Sequence, residues 1–147
     1  VEEEELRAVL QKLARTEGEK GQPETSNLPE LVDWLGLLQQ DGLNPYVRDV
    51  LGLIAAHSRE RLSVEQTADA LGISASYLSR KLKDQTGHTF NSLVTRYRLQ
   101  QSLALLREGR LRVYEVAEQV GFSDYKNFAQ VFRKYLAMTP SQFMQGL

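Results

Sequence analysis

The 147-residue sequence contains no cysteine. That excludes disulfides, a thiolate nucleophile and zinc held by Cys. Its two histidines, His57 and His88, are too far apart to share a metal-ligand spacing, and they read as a surface residue and a loop or cap residue. No run approaches the roughly eighteen apolar residues of a membrane-spanning helix. There is no phosphate-binding Gly loop, nucleophile elbow, metal motif or acid–base pair, so no enzyme activity, cofactor or metal is expected. The opening VEEEE is the reverse of a basic leader, and no Asn-x-Ser/Thr sequon follows. A reduced, cytoplasmic compartment is the expectation. The first residue is not Met, and the chain is expected to be a fragment of something longer.

What is present is ordinary in amount and uneven in placement. The 41% apolar and 25% charged content matches a folded globular chain, which argues against wholesale disorder. The net charge of −1 conceals an acidic leader, residues 1–43, with ten acids and four bases, ahead of a body with nine acids and fourteen bases. A basic body suggests nucleic acid as a partner, although moderate basic charge is also common on solvated surfaces.

The periodicity is helical throughout, and no alternating strand pattern appears. Leu6, Val9, Leu10 and Leu13 predict an amphipathic helix over about 2–16, with Glu2–Glu5 at its positive end. Residues 16–27 read as a linker. Leu28, Leu31, Val32, Leu35 and Leu38 predict a second short helix ending near Gly42, on which Trp34 either anchors the helix to the body or serves a dimer contact. Asn44-Pro45 starts the next helix. Ser63 and Gln66 predict a capping box for a helix over 63–71. Further helices are expected over about 74–85, 89–108, 112–120, 124–136 and 140–146. On the long one, Phe90, Leu93, Val94, Tyr97, Leu103 and Leu106 are assigned to a single buried side.

One unit occurs twice. Leu62, Val64, Ala68, Leu71, Gly72, Ile73 and Ser74 match Leu111, Val113, Ala117, Val120, Gly121, Phe122 and Ser123 at an offset of 49. Beyond the turn the offset is 50, pairing Leu78 with Phe128 and Leu82 with Phe132. A short helix, a Gly turn and a second helix make a helix-turn-helix unit, whose second helix enters a DNA major groove. Ala68 and Ala117 let the paired helices cross closely, the glycines can take positive φ, and Ser74 and Ser123 are expected to cap the second helices. The long helix between the units spans about 30 Å, close to the roughly 34 Å between successive major-groove faces. The competing reading is a helical module that binds protein. It requires apolar outward faces, whereas those around 76–83 and 126–133 are polar and basic.

The stretches LSVEQTADALGISASYLSRKLKDQTGHTF and RYRLQQSLALLREGRLRVYEVAEQVGFSDYKNFAQVFRKYLAMTPSQF resemble the DNA-binding domain of AraC/XylS-type transcription regulators, over about residues 45–145. The resemblance implies an all-α fold of two helix-turn-helix subdomains, about 63–86 and 112–136, joined by a connecting helix over about 89–108. It also implies double-stranded DNA and RNA polymerase as partners. The implied DNA-binding domain runs over 44–147, behind the leader 1–43. Ala137 stands where Gly is usual in the family, Met144 where Arg is frequent and Ser102 in place of a common Ala. VEEEELRAVLQKLA is similar to the last helix of a response-regulator receiver domain, which would make the chain an output region. The alternative is an ordinary amphipathic linker helix. Separately, a homodimer through the N-terminal segment, with a contact over 28–40, is a further expected partner.

Ser76, Ser79, Arg80 and Lys83 share one helical face. The resemblance puts Ser76 and Arg80 at base-reading positions, and Arg80 can hold guanine O6 and N7 with its two-pronged guanidinium. A surface ion pair with Asp84 is the competing use of Arg80. On the second helix, Lys126, Asn127 and Gln130 face outward, and the two amides suit adenine. Ser74, Lys81, Lys83, Ser123, Arg133 and Lys134 are expected at phosphates, which orient the protein without reading sequence. Arg96 and Arg98, on the connecting helix, stay outside the reading set, and the resemblance gives Arg98 a structural pairing role.

Overall fold

The computed structural model describes residues 29–147. The expected helix over 2–16 and the linker over 16–27 lie outside the described residues. Eight helices follow among them, each begun by an identifiable first-turn bond.

Asp33 opens α1, Trp34–Gln39, by accepting from the Gly36 amide. Leu31 and Val32, expected inside this helix, instead precede it, and the helix stops at Gln39 rather than near Gly42. The reason is competition for backbone groups. The Leu31 amide and the Pro29 and Leu31 carbonyls are bound by side chains of the long helix and are withheld from a helical turn.

Asn44 Oδ1 accepts from the Tyr46 and Val47 amides at the start of α2, Pro45–His57, with Pro45 in the first turn as expected. In α3, Val64–Leu71, Ser63 Oγ accepts from the Gln66 amide, but the return bond of the expected capping box is not made. Ser74 caps α4, Ala75–Thr86, and Thr89 caps the long α5, Phe90–Glu108. At α6, Val113–Val120, the Arg112 amide donates to the Glu115 carboxylate. Helix α7 is Tyr125–Leu136. Thr139 and Gln142 form a complete reciprocal box at α8, Pro140–Gln145.

Two apolar cores result. The first gathers α1, α2, α3, α4 and the N-terminal half of α5, through residues such as Leu51, Ile54, Leu78, Leu82 and Leu93. The second gathers the C-terminal half of α5 with α6, α7 and α8 around Phe128, Phe132 and Leu103. Helix α5 therefore does not have one buried side. At about 100° per residue, Phe90, Val94 and Tyr97 point one way and Leu99, Leu103 and Leu106 the opposite way. Burial on opposite faces in its two halves also explains why Ser102 can be fully enclosed: its hydroxyl donates to the Leu99 carbonyl.

Ala137, at the end of α7, has φ +61°, the one positive φ outside glycine among the described residues. Left-handed backbone costs an L residue with a Cβ about 1–2 kcal/mol. Ala137→Gly should therefore raise stability by about 0.5–1 kcal/mol, once the looser unfolded chain is counted. Urea unfolding with an unchanged m-value would register the gain.

Candidate nucleic-acid interface

The Gly turns of the repeat make matching backbone bonds. In the first turn, the Gly72 amide donates to the Asp69 carbonyl and the Ile73 amide to the Ala68 carbonyl. In the second, Gly121 donates to Glu118 and Phe122 to Ala117. Both glycines take positive φ, +73° and +103°. Ala68 and Ala117 are both almost fully buried where the paired helices cross.

The change of offset from 49 to 50 has a structural cause, and it corrects one expectation. Ser74 caps α4, but α7 is capped by Asp124, whose Oδ1 accepts from the Asn127 amide at 2.7 Å. Ser123 lies one residue earlier in the turn, exposed. The second turn has one more residue than the first, and the cap moves with it. The Ser123 hydroxyl therefore lies outside the helix terminus.

On α4, Leu78 and Leu82 are fully buried, while Ser76, Ser79, Arg80 and Lys83 are exposed together. No ion pair joins Arg80 to Asp84. The Arg80 guanidinium instead lies 5.9 Å from the centre of the Tyr77 ring, and the half-buried Lys81 ammonium lies 5.8 Å from the same ring. Tyr77 is held in turn by Asn44 Nδ2, which donates to its hydroxyl at 3.1 Å, and by an edge contact with Tyr46. Sequence reasoning missed Tyr77 as the support of both cations, although its spacing of three and four residues from them on one helix was available as a signal. Lys83 is partly committed, since its Nζ donates to the Gly87 carbonyl at 3.2 Å.

On α7, Phe128 and Phe132 are fully buried, and Lys126, Asn127, Gln130, Arg133 and Lys134 are exposed. The side chains of Lys126, Asn127 and Gln130 make no hydrogen bond among the described residues. The two helices therefore present matching polar faces, with their apolar faces fixed in separate cores.

The arginines of α5 are occupied otherwise. Arg96 donates to Ser92 Oγ and to the Leu31 carbonyl, both at 3.0 Å, and stacks over Tyr135 beside an open cleft of about 350 Å³ bordered by Lys134. Arg98 donates to the Ser58 carbonyl at 2.6 Å and the Glu60 carbonyl at 2.8 Å, which is the pairing role the resemblance implies. Its burial lowers the guanidinium pKa from the ordinary value. His88, in the α4–α5 turn, is held below its usual pKa by burial and then by the charges of Arg96 and Lys83. His57 pairs with Glu60 at the surface.

Residues 67–146 match the family described as a helix-turn-helix domain. The chain is 33% identical over 144 residues to the transcriptional regulatory protein HptR of Staphylococcus aureus, covering 97% of this chain and 57% of that protein. Among solved structures, it is similar to the C-terminal domain of AraT, a response regulator from Geobacillus stearothermophilus, with 30% identity and a TM-score of 0.68 over 73% of this chain and 89% of that one. It also resembles a probable AraC family transcriptional regulator from Rhodopseudomonas palustris, at 27% identity and a TM-score of 0.62 over 70% of this chain and 97% of that one. The chain spans about half the length of the curated relatives it matches.

Proposed function

The chain belongs to the AraC-type helix-turn-helix family, and from that membership we propose that it is a sequence-specific regulator of transcription that binds double-stranded DNA. Helices α4 and α7 enter successive major grooves. The observation that carries this reading is the pair of exposed polar faces, each on the second helix of a helix-turn-helix unit, at the two ends of one helix about 28 Å long. Ser76, Ser79, Arg80, Lys126, Asn127 and Gln130 read base edges. Ser74, Lys81, Lys83, Ser123, Arg133 and Lys134 contact phosphates.

The similarity to HptR and AraT supports control by an upstream receiver domain. We further propose a cytoplasmic setting and RNA polymerase as a partner, with a homodimer through the N-terminal segment as the remaining option to test. We propose that the division at residue 44 is functional rather than structural: both reading helices follow it, while α1 before it packs in the first core.

Selection of bound duplexes from a randomised pool tests the reading. Enrichment of a two-part motif with halves about 10 base pairs apart is the expected result. No enrichment by the folded protein would sink it. On the selected site, Arg80→Ala should weaken binding by about 1–3 kcal/mol and relax preference at one base pair. Lys134→Ala should weaken all sequences alike and reduce the slope of log affinity against log salt by about 0.9. Fluorescence anisotropy titrations at several salt concentrations separate the two.

A further inference from the structure

Helix α5 changes cores in mid-course: Tyr97 is the last of its residues in the first and Leu99 the first in the second. With opposite faces buried at the two ends, two flanks remain, and at about 100° per residue Arg98 occupies one while Arg96 and Gln100 occupy the other.

Each flank carries a bridge between the units. On the first, Arg98 Nε and Nη2 hold the Ser58 and Glu60 carbonyls, just past α2, while its guanidinium lies 5.9 Å from the ring centre of Phe122 in the turn of the second unit. On the second flank, residues 29–32 cross the helix. The Leu31 amide donates to Gln100 Oε1 at 2.7 Å, Gln100 Nε2 donates to the Pro29 carbonyl at 3.0 Å, and Arg96 holds the Leu31 carbonyl. Leu31 then packs against the second core and Val32 against the first.

We infer that Arg98 and Gln100 are positioning residues that fix the distance and angle between the two reading helices, so that the spacing of the DNA half-sites is itself part of the specificity. A lone helix resists bending at its middle with little beyond its own backbone bonds, and braces on opposite flanks oppose bending in that plane. Two linked heads gain avidity only when geometry lets both engage, so a stiff link rejects a shifted half-site that a loose one accepts. The consequence for DNA rests on the proposed function; the geometry does not.

The absence of cysteine makes the test direct. Spin labels on Ser79→Cys and Gln130→Cys, both exposed, report the distance between α4 and α7 without DNA. The parent should give one narrow distribution, and Arg98→Lys/Gln100→Ala a broad one, since Lys cannot serve two carbonyls as the guanidinium fork does. Circular dichroism establishes that the variant is folded. Should it fail to fold, Gln100→Ala alone, which leaves both cores intact, decides by the same criterion. A distribution as narrow as the parent's overturns the inference.

In binding to the selected motif, insertion of one base pair between the halves should weaken the parent on the order of 100-fold and the double variant less than about tenfold. Affinity for a single half-site should change less than about twofold. An unchanged spacing penalty alongside broadened distances would overturn the specificity claim. Failure of the parent to select any DNA would sink the proposed function, while the label distances would still judge the brace.

Discussion

Gly121→Ala is expected to destabilise the protein by about 2–5 kcal/mol, whereas the equivalent change in the first unit, Gly72→Ala, costs about 1 kcal/mol. The two glycines occupy the same place in the repeat and make the same turn bonds, and each change puts a Cβ on left-handed backbone. At Gly72, φ is +73° and that Cβ meets nothing within 4 Å. At Gly121, φ is +103° and it would lie 2.8 Å from Arg59 Cα and 2.9 Å from the Ser58 carbonyl oxygen. Those are backbone atoms, and Arg98 holds the Ser58 carbonyl in place, so the obstruction cannot swing aside as a side-chain tip would. The overpacking adds to the conformational penalty. Parallel urea titrations of the two variants check the difference. Equal losses would mean that the second turn does not press on the end of the first unit.

Both glycines, both alanines and the helical periods were legible in the sequence because local rules govern them. A turn needs a residue tolerant of positive φ, a close crossing needs a small side chain, and a buried face recurs at helical spacing. The offset change from 49 to 50 was legible as a number but not as a cap. Ser123 matched Ser74 in type and was assigned its role, yet Asp124 holds it, because one extra turn residue moves the helix start without disturbing the apolar register that follows.

Long-range pairing hid the rest. A single buried side for α5 follows from treating it as an ordinary amphipathic helix. Two cores on opposite faces break that assumption, and Leu99 went unassigned for the same reason. The irregular course of residues 29–33 was misread as helix because its determinants lie about seventy residues away, at Gln100 and Arg96. The reading faces were legible as exposed polar patches. Their support on Tyr77 is not legible from charge alone, because it is an aromatic ring that lies beneath both cations.

The one tryptophan tests whether the segment entering α1 belongs to the folded body. Trp34 is only 3% exposed, meets the Tyr97 ring edge-on at a centroid distance of 4.8 Å and lies in the first core with Leu38 and Leu43. Its surroundings are apolar enough that the Tyr97 hydroxyl is pushed up to about 12 by burial. Trp34→Ala should therefore cost about 3–5 kcal/mol, the range for emptying a buried aromatic site. Trp34→Phe should behave differently. The indole Nε1 is buried without a hydrogen-bond partner among the described residues, and an unpaired buried donor costs about 1–3 kcal/mol. Phenylalanine leaves a smaller void than alanine and removes that donor, so the loss of volume and the relief oppose each other, and the net change should stay within about 1 kcal/mol. Unfolding must be followed by circular dichroism, since either substitution removes the only indole fluorophore. A Trp34→Ala loss below about 1 kcal/mol would detach residues 31–38 from the core, and with them the brace across α5. A Trp34→Phe loss as large as that of alanine would mean the indole nitrogen finds a partner in solution.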